Sequence, residues 1–178
     1  MHEFVTNAFV LGRRPRGELD LTVDLYTERI GRIEGRVISG QKITSKFSPH
    51  LIVPNFVTIR VVEKNVHTIT DVISFSSPWK FKDNADTFQN IFRIFFLLRV
   101  AAPLHVPDQL LWKYISCENG EKPPEIDRIL NTLGYDISLA TCAVCAKRPV
   151  HFFEYGEGSF LCDVCGVKPH HDRVILVV

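Results

Sequence analysis

Residues 19–38 read Leu19-Asp20-Leu21-Thr22-Val23-Asp24-Leu25-Tyr26-Thr27-Glu28-Arg29-Ile30-Gly31-Arg32-Ile33-Glu34-Gly35-Arg36-Val37-Ile38. In the first half, Leu19, Leu21, Val23 and Leu25 alternate with Asp20, Thr22, Asp24 and Tyr26, the period of a half-buried strand. The second half alternates less cleanly, and Gly31 and Gly35 predict bends or bulges such as a tightly curled sheet requires. Upstream, Phe9-Val10-Leu11 is a short apolar run. Downstream, after a polar loop, Phe56, Val57, Ile59, Val61 and Val62 form a fourth strand, Asn65 marks a turn, and Val66 to Phe75 form a fifth. Five short strands between residues 4 and 76, separated by turns, suit a small barrel of the OB type.

The pattern changes near Ser76-Ser77-Pro78. Asp83 or Asn84 is placed to cap a helix that runs to Ala102, where Pro103 stops it, and Asp108 to cap a second through Ile115. Pro123-Pro124 opens a third, with Ile126, Ile129, Leu130 and Leu133 at helical spacing and Gly134 at its end. From Thr141 the chain is cysteine-rich and strand-like. The expected fold class is therefore α+β: an OB-type barrel over residues 1–78, then a helical region over 79–178 carrying a zinc-finger-like module at about 139–168. No internal repeat or low-complexity segment interrupts this order.

Two knuckles, Cys142-Ala143-Val144-Cys145 and Cys162-Asp163-Val164-Cys165, stand sixteen residues apart. This spacing matches a four-cysteine zinc site, because a two-residue spacer lets both thiolates of a knuckle face one tetrahedral ion. Four thiolates close the coordination shell, so the expected Zn²⁺ is structural rather than catalytic. The alternatives are four reduced thiols or a redox pair. His151, His170 and His171 are substitute ligands by position. Phe152, Phe153 and Phe160 supply an apolar layer between the knuckles, Gly166 a tight turn after the second. The fifth cysteine, Cys117, reads as a small buried residue at a helix end. The start of the chain has no basic stretch followed by an apolar run, so no signal peptide is expected and a disulfide framework is disfavoured.

Formal net charge is only +1, but its distribution is uneven. Arg13, Arg14 and Arg16 cluster between the first two strands. From Arg29 to Lys46, five basic residues (Arg29, Arg32, Arg36, Lys42, Lys46) face one acidic residue, Glu34. Carboxylates gather instead in the helical part. A row of cations on a barrel suits a phosphate backbone, and Tyr26 and Phe47 are the nearby aromatics on which bases could stack. The same pattern also describes a solvated face, and both aromatics also fit the core. The apolar stretch Ile91 to Leu104 contains Arg93, Arg99 and Pro103 and is shorter than the roughly 20 residues of a membrane span, so it reads as a buried helix. Gly31 to Gly35 lacks phosphate-loop spacing, no nucleophile elbow occurs, and Asp20 and Asp24 fit the polar face of a strand. These features point away from an enzyme.

The order of barrel, helices and a four-cysteine knuckle behind a Leu-Gly-Tyr sequence resembles the bacterial recombination mediator RecO. Ala8-Phe9-Val10-Leu11 followed by Arg14, Gly17-Glu18 and Asp20 is similar to that family's opening strand and turn. Tyr26-Thr27-Glu28 with Gly31 resembles its second hairpin. Gly40-Gln41-Lys42, then Thr44-Ser45-Lys46-Phe47, resembles its basic loop, with Pro54 near a usual proline. Leu133-Gly134-Tyr135 leading into Cys142 is the closest local match. The resemblance covers residues 8–60 and 130–166. It implies a non-catalytic DNA repair factor of the RecFOR pathway, cytoplasmic and nucleoid-associated. Such a factor binds single- and double-stranded DNA, anneals strands, and works with RecR and single-stranded DNA-binding protein to load RecA. It puts DNA contact on Arg14, Arg32, Arg36, Lys42 and Lys46, and zinc on Cys142, Cys145, Cys162 and Cys165. The family's chain is longer and carries closing helices, whereas here only a short tail follows the knuckle; no residues are assigned to single-stranded DNA-binding protein. An RNA-binding barrel with a zinc ribbon and a protein-docking adaptor are the competing readings.

Overall fold

The computed structural model describes residues 2–76, 85–116, 124–167 and 173–177, side chains of 85–87 excepted. The chain divides into two compact units, Met1–Lys122 and Pro123–Val178.

In the first unit, β1 (His2–Arg16), β2 (Asp20–Thr27), β3 (Gly31–Val37), β4 (Phe56–Glu63) and β5 (His67–Ser76) close into a barrel in the order β1-β2-β3-β5-β4. Closure depends on the length of β1. Residues His2 to Phe9 pair with β4 and residues Ala8 to Arg16 with β2, with a register shift between Val10 and Gly12. The barrel is sealed by a short parallel contact of β3 with β5, at Gly35–His67 and Arg36–Thr68. The interior is filled by Val10, Leu21, Val23, Leu25, Ile33, Val57, Ile59 and Val61, with Leu51 of the β3–β4 loop.

The two glycines of β3 have different reasons. Gly31 sits at φ +70°, and a Cβ there would lie 2.2 Å from the Val106 carbonyl oxygen. Gly35 lies within an unbroken β2–β3 ladder, so the expected bulge is absent there. It is small because a Cβ would come within 2.8 Å of the Ile69 side chain, where β5 crosses to meet β3.

Two helices, α1 (Ala85–Ala101) and α2 (Gln109–Ser116), belong to the same unit as the barrel. The compact unit therefore runs past residue 78, the expected end of the barrel domain. Ile91, Ile94, Phe95, Leu97 and Leu98 of α1 are buried, as the reading of this stretch as a buried helix requires, and among the described residues no helix is long and apolar enough to cross a membrane. Asp108 caps α2, accepting from the Leu111 N–H at 2.9 Å. The expected caps Asp83 and Asn84 lie outside the described residues, as does Cys117. The helices change β2 from the half-buried strand its alternation predicts to one buried along nearly its whole length. Phe9 meets Phe56, Phe95 and Trp112 at 5.0, 5.6 and 5.3 Å between ring centroids, and Trp112 stacks over Tyr26. An alternating strand still exposes one face until another layer covers it, and here α1 and α2 do so.

The second unit holds α3 (Ile126–Thr132), β6 (Phe152–Glu154), β7 (Ser159–Leu161), α4 (Asp163–Gly166) and β8 (Val174–Leu176). The strands form an antiparallel sheet in the order β7-β6-β8. Ile126, Ile129 and Leu130 are buried, and Gly134 follows α3 at φ +93°, the terminating role its sequence position predicts. Phe153 is fully buried between Tyr135 and Phe160.

Candidate metal centre and nucleic-acid interface

The two knuckles are built by the same local turn. The N–H of Ala146 donates to the Cys142 carbonyl, and the N–H of Gly166 to that of Cys162, each at 2.8 Å. They differ in how the residue after the second cysteine is accommodated. Ala146 takes φ +57°, in the left-handed region that disfavours a Cβ. Gly166 lies inside α4, and a Cβ there would fall 2.4 Å from the Phe152 ring. Its smallness serves close packing rather than the positive φ of a turn.

These turns bring the four Sγ atoms of Cys142, Cys145, Cys162 and Cys165 within 4.8 Å of one another. The Cys145 and Cys162 sulfurs are 3.6 Å apart. A tetrahedron with metal–sulfur bonds of about 2.3 Å has edges of about 3.8 Å. The cluster is thus close enough to bind a metal ion. Burial opposes ionisation of Cys142, but N–H groups of Cys162, Cys145 and Val144 outweigh it and draw that thiol down to about 6. Burial and the crowded neighbouring sulfurs push Cys165 up to about 12. A second thiolate in so small a space needs a cation. His151 is not part of the cluster; its Nδ1 lies 2.6 Å from Asp163 Oδ1. His170 and His171 lie outside the described residues.

The five expected DNA contacts fall into two groups. Arg14 bonds Asp24 through Nη1 at 2.9 Å and Glu34 through Nη2 at 2.7 Å, and these partners raise its pKa, the Asp24 hydrogen bond most. Asp24 is 1% exposed and also takes Arg99 Nε of α1 at 2.9 Å. It is therefore a buried link between helix and barrel rather than part of a polar strand face. Arg36 Nε donates to Asp20 at 2.7 Å, and the Ser39 N–H first, then this guanidinium, hold Asp20 below the usual carboxylate range. Arg32 Nη1 donates to the Ala102 carbonyl at 2.8 Å. Lys42 and Lys46, in the β3–β4 loop, are exposed and have no carboxylate partner among the described residues.

The loop that carries these lysines is fastened to the β1–β2 turn. Gln41 Nε2 donates to the carbonyls of Gly17 and Asp20, at 3.0 and 2.7 Å, and Arg13 Nη1 to that of Ser48 at 3.0 Å. Between them lies an open groove of about 720 Å³. Arg13, Arg14 and Lys42 line it together with Gln41, Ser45, Ser48 and Ile52, and among the described residues no carboxylate does. Arg13 belongs to the basic cluster of the sequence, but nothing short of the folded turn distinguishes it from Arg14. Of the two aromatics singled out from the sequence, Tyr26 is 1% exposed beneath Trp112, its phenol pushed up to about 12 by burial, and Phe47 is half-buried, packed against the barrel core.

Residues 1–77, the five barrel strands, match the family model described as Recombination protein O N terminal. A protein of Thermodesulfovibrio yellowstonii named DNA repair protein RecO is 28% identical over 193 aligned positions, covering all of this chain and 76% of the relative. This is a RecO-like chain. Two proteins of the same name from strains of Dehalococcoides mccartyi are 25% and 24% identical, each over 92% of this chain and 70% of the relative. The likeness thus extends beyond the barrel through both units.

Proposed function

We propose that this RecO-like chain is a non-catalytic recombination mediator. In this reading it binds single- and double-stranded DNA, anneals complementary strands and, with RecR and single-stranded DNA-binding protein, helps load RecA in recombinational repair at the nucleoid. The observation that carries the DNA-binding part is the groove on this OB-like barrel, lined by Arg13, Arg14 and Lys42 and, among the described residues, by no carboxylate. OB barrels commonly bind strands across β2 and β3. Here α1 and α2 already cover β2, which favours the groove between the β1–β2 turn and the β3–β4 loop. Lys42 and Lys46 make the principal phosphate contacts. Arg14 lines the groove but shares its charge with Asp24 and Glu34, Arg32 acts by holding the Ala102 carbonyl, and Arg36 by holding the Asp20 carboxylate. Zn²⁺ on Cys142, Cys145, Cys162 and Cys165 supplies the second unit with a structural cross-link, for which four soft thiolates are the fitting donor set.

Fluorescence anisotropy with a labelled single strand at several salt concentrations tests the reading, alongside an annealing assay and metal analysis. Affinity should fall steeply with salt, as counterion release requires. One zinc per chain is expected, with chelation unfolding the cysteine unit. A flat salt response, or no binding at low salt, would overturn the DNA-binding role.

A further inference from the structure

We infer that His50 and Phe75 form a stacking platform for an unpaired base beside the cationic groove, giving this chain a preference for single-stranded DNA over duplex. The inference rests on reading the groove as a DNA site. The two rings stack at 3.9 Å between centroids with their planes 25° apart. Phe75 remains 55% exposed although it lies on a barrel strand. Other barrel aromatics are committed inward or to the helices: Phe4, Phe9 and Tyr26 are buried, and Phe56 packs on Phe9 and Trp112.

The platform is held ready. The His50 N–H donates to the Phe47 carbonyl at 3.0 Å, and its own carbonyl accepts from Asn55 Nδ2 at 2.9 Å. Adjacent Leu51, fully buried, anchors the same turn. His50 also lies between Pro49 and Ile52, both of which line the groove that Lys42 enters. Phosphates held by the loop cations would therefore bring their bases toward an aromatic surface already fixed in place. A base in a duplex is stacked on both sides and gains nothing from such a surface, whereas an unpaired base does. A pair that merely caps the barrel's end would not discriminate between the two.

The test measures affinity of the full chain for a labelled single strand and for the matching duplex, at one salt concentration. Phe75→Ala should weaken single-strand binding roughly tenfold, within the range seen for loss of one aromatic stack, and leave duplex binding unchanged. Phe75→Tyr should retain wild-type discrimination, and His50→Ala should reduce it. The inference fails if the wild-type chain binds DNA but Phe75→Ala binds single strands as tightly, or if it weakens both forms equally. If the wild-type chain binds neither form at low salt, the DNA-site reading itself fails.

Discussion

The arginines of the strands and the lysines of the β3–β4 loop carry the same formal charge, and the barrel uses them in opposite ways. Arg14 bridges Asp24 and Glu34, Arg36 holds Asp20, and Arg32 grips the Ala102 carbonyl. Lys42 and Lys46 stand exposed, with no carboxylate partner among the described residues. The division follows side-chain chemistry. A planar guanidinium presents forked donors to carboxylates and carbonyls, while a compact ammonium keeps its hydration. An arginine paired with a carboxylate adds little to the field felt by an incoming phosphate, so an inventory of basic residues overstates the charge available for binding.

The contrast is broken most directly at Asp24. Asp24→Ala leaves Arg14 and Arg99 without their shared partner and should cost about 2–3 kcal/mol in urea denaturation; the half-exposed arginines can regain water, which keeps the loss at the low end for buried pairs. DNA affinity per folded molecule should not fall, since Lys42 and Lys46 are untouched and Arg14, keeping only Glu34, shares less of its charge. The reverse holds for the loop: Lys42→Glu combined with Lys46→Glu should leave stability nearly unchanged. Loss of two single-strand phosphate contacts, each with a salt slope of about 0.7, weakens binding roughly 25-fold at 0.1 M salt. Equal affinity in anisotropy titrations would place the contact surface elsewhere. A smaller effect is expected for Arg36→Ala, a modest fall in Tm that shrinks further in 1 M salt with DNA affinity retained. If that variant lost as much affinity as the double lysine variant, the division between the two groups would be wrong.

The gentlest probe is pH. Asp20 has a folded pKa below its unfolded value of about 3.9. Its stabilisation is thus present above the unfolded value and is lost as pH falls through the lowered folded one. Melting temperature followed from neutral pH into acid should fall, and Asp20→Asn should remove part of that slope.

Much of the fold was legible along the chain. The alternation of Leu21, Val23 and Leu25, the turn at Asn65 and the Asp108 cap are local signals, and each lies where the structure has a strand, a turn and a helix start. The knuckle spacing likewise predicted a thiol cluster, because two residues between cysteines leave little freedom in where the sulfurs point. Less legible was the use of Asp24, which fits a polar strand face until Arg99, far along the chain, arrives over it. Gly35 read as a bend but serves a close crossing by Ile69. Tyr26 read as a possible platform but became a floor for Trp112, while His50 and Phe75 carried no sequence signal at all because they meet only in the closed barrel.

Local periodicity, turn residues and cysteine spacing were enough to specify five strands, their helical successors and a four-thiol site, since each depends on neighbours within a few residues. Which charges face solvent, which aromatic rings remain open and where a groove forms depended on contacts between distant segments. Those contacts are fixed only when α1 and α2 settle on β2 and the β3–β4 loop is tied to the β1–β2 turn, for burial and pairing are properties of the assembled surface rather than of any stretch of chain.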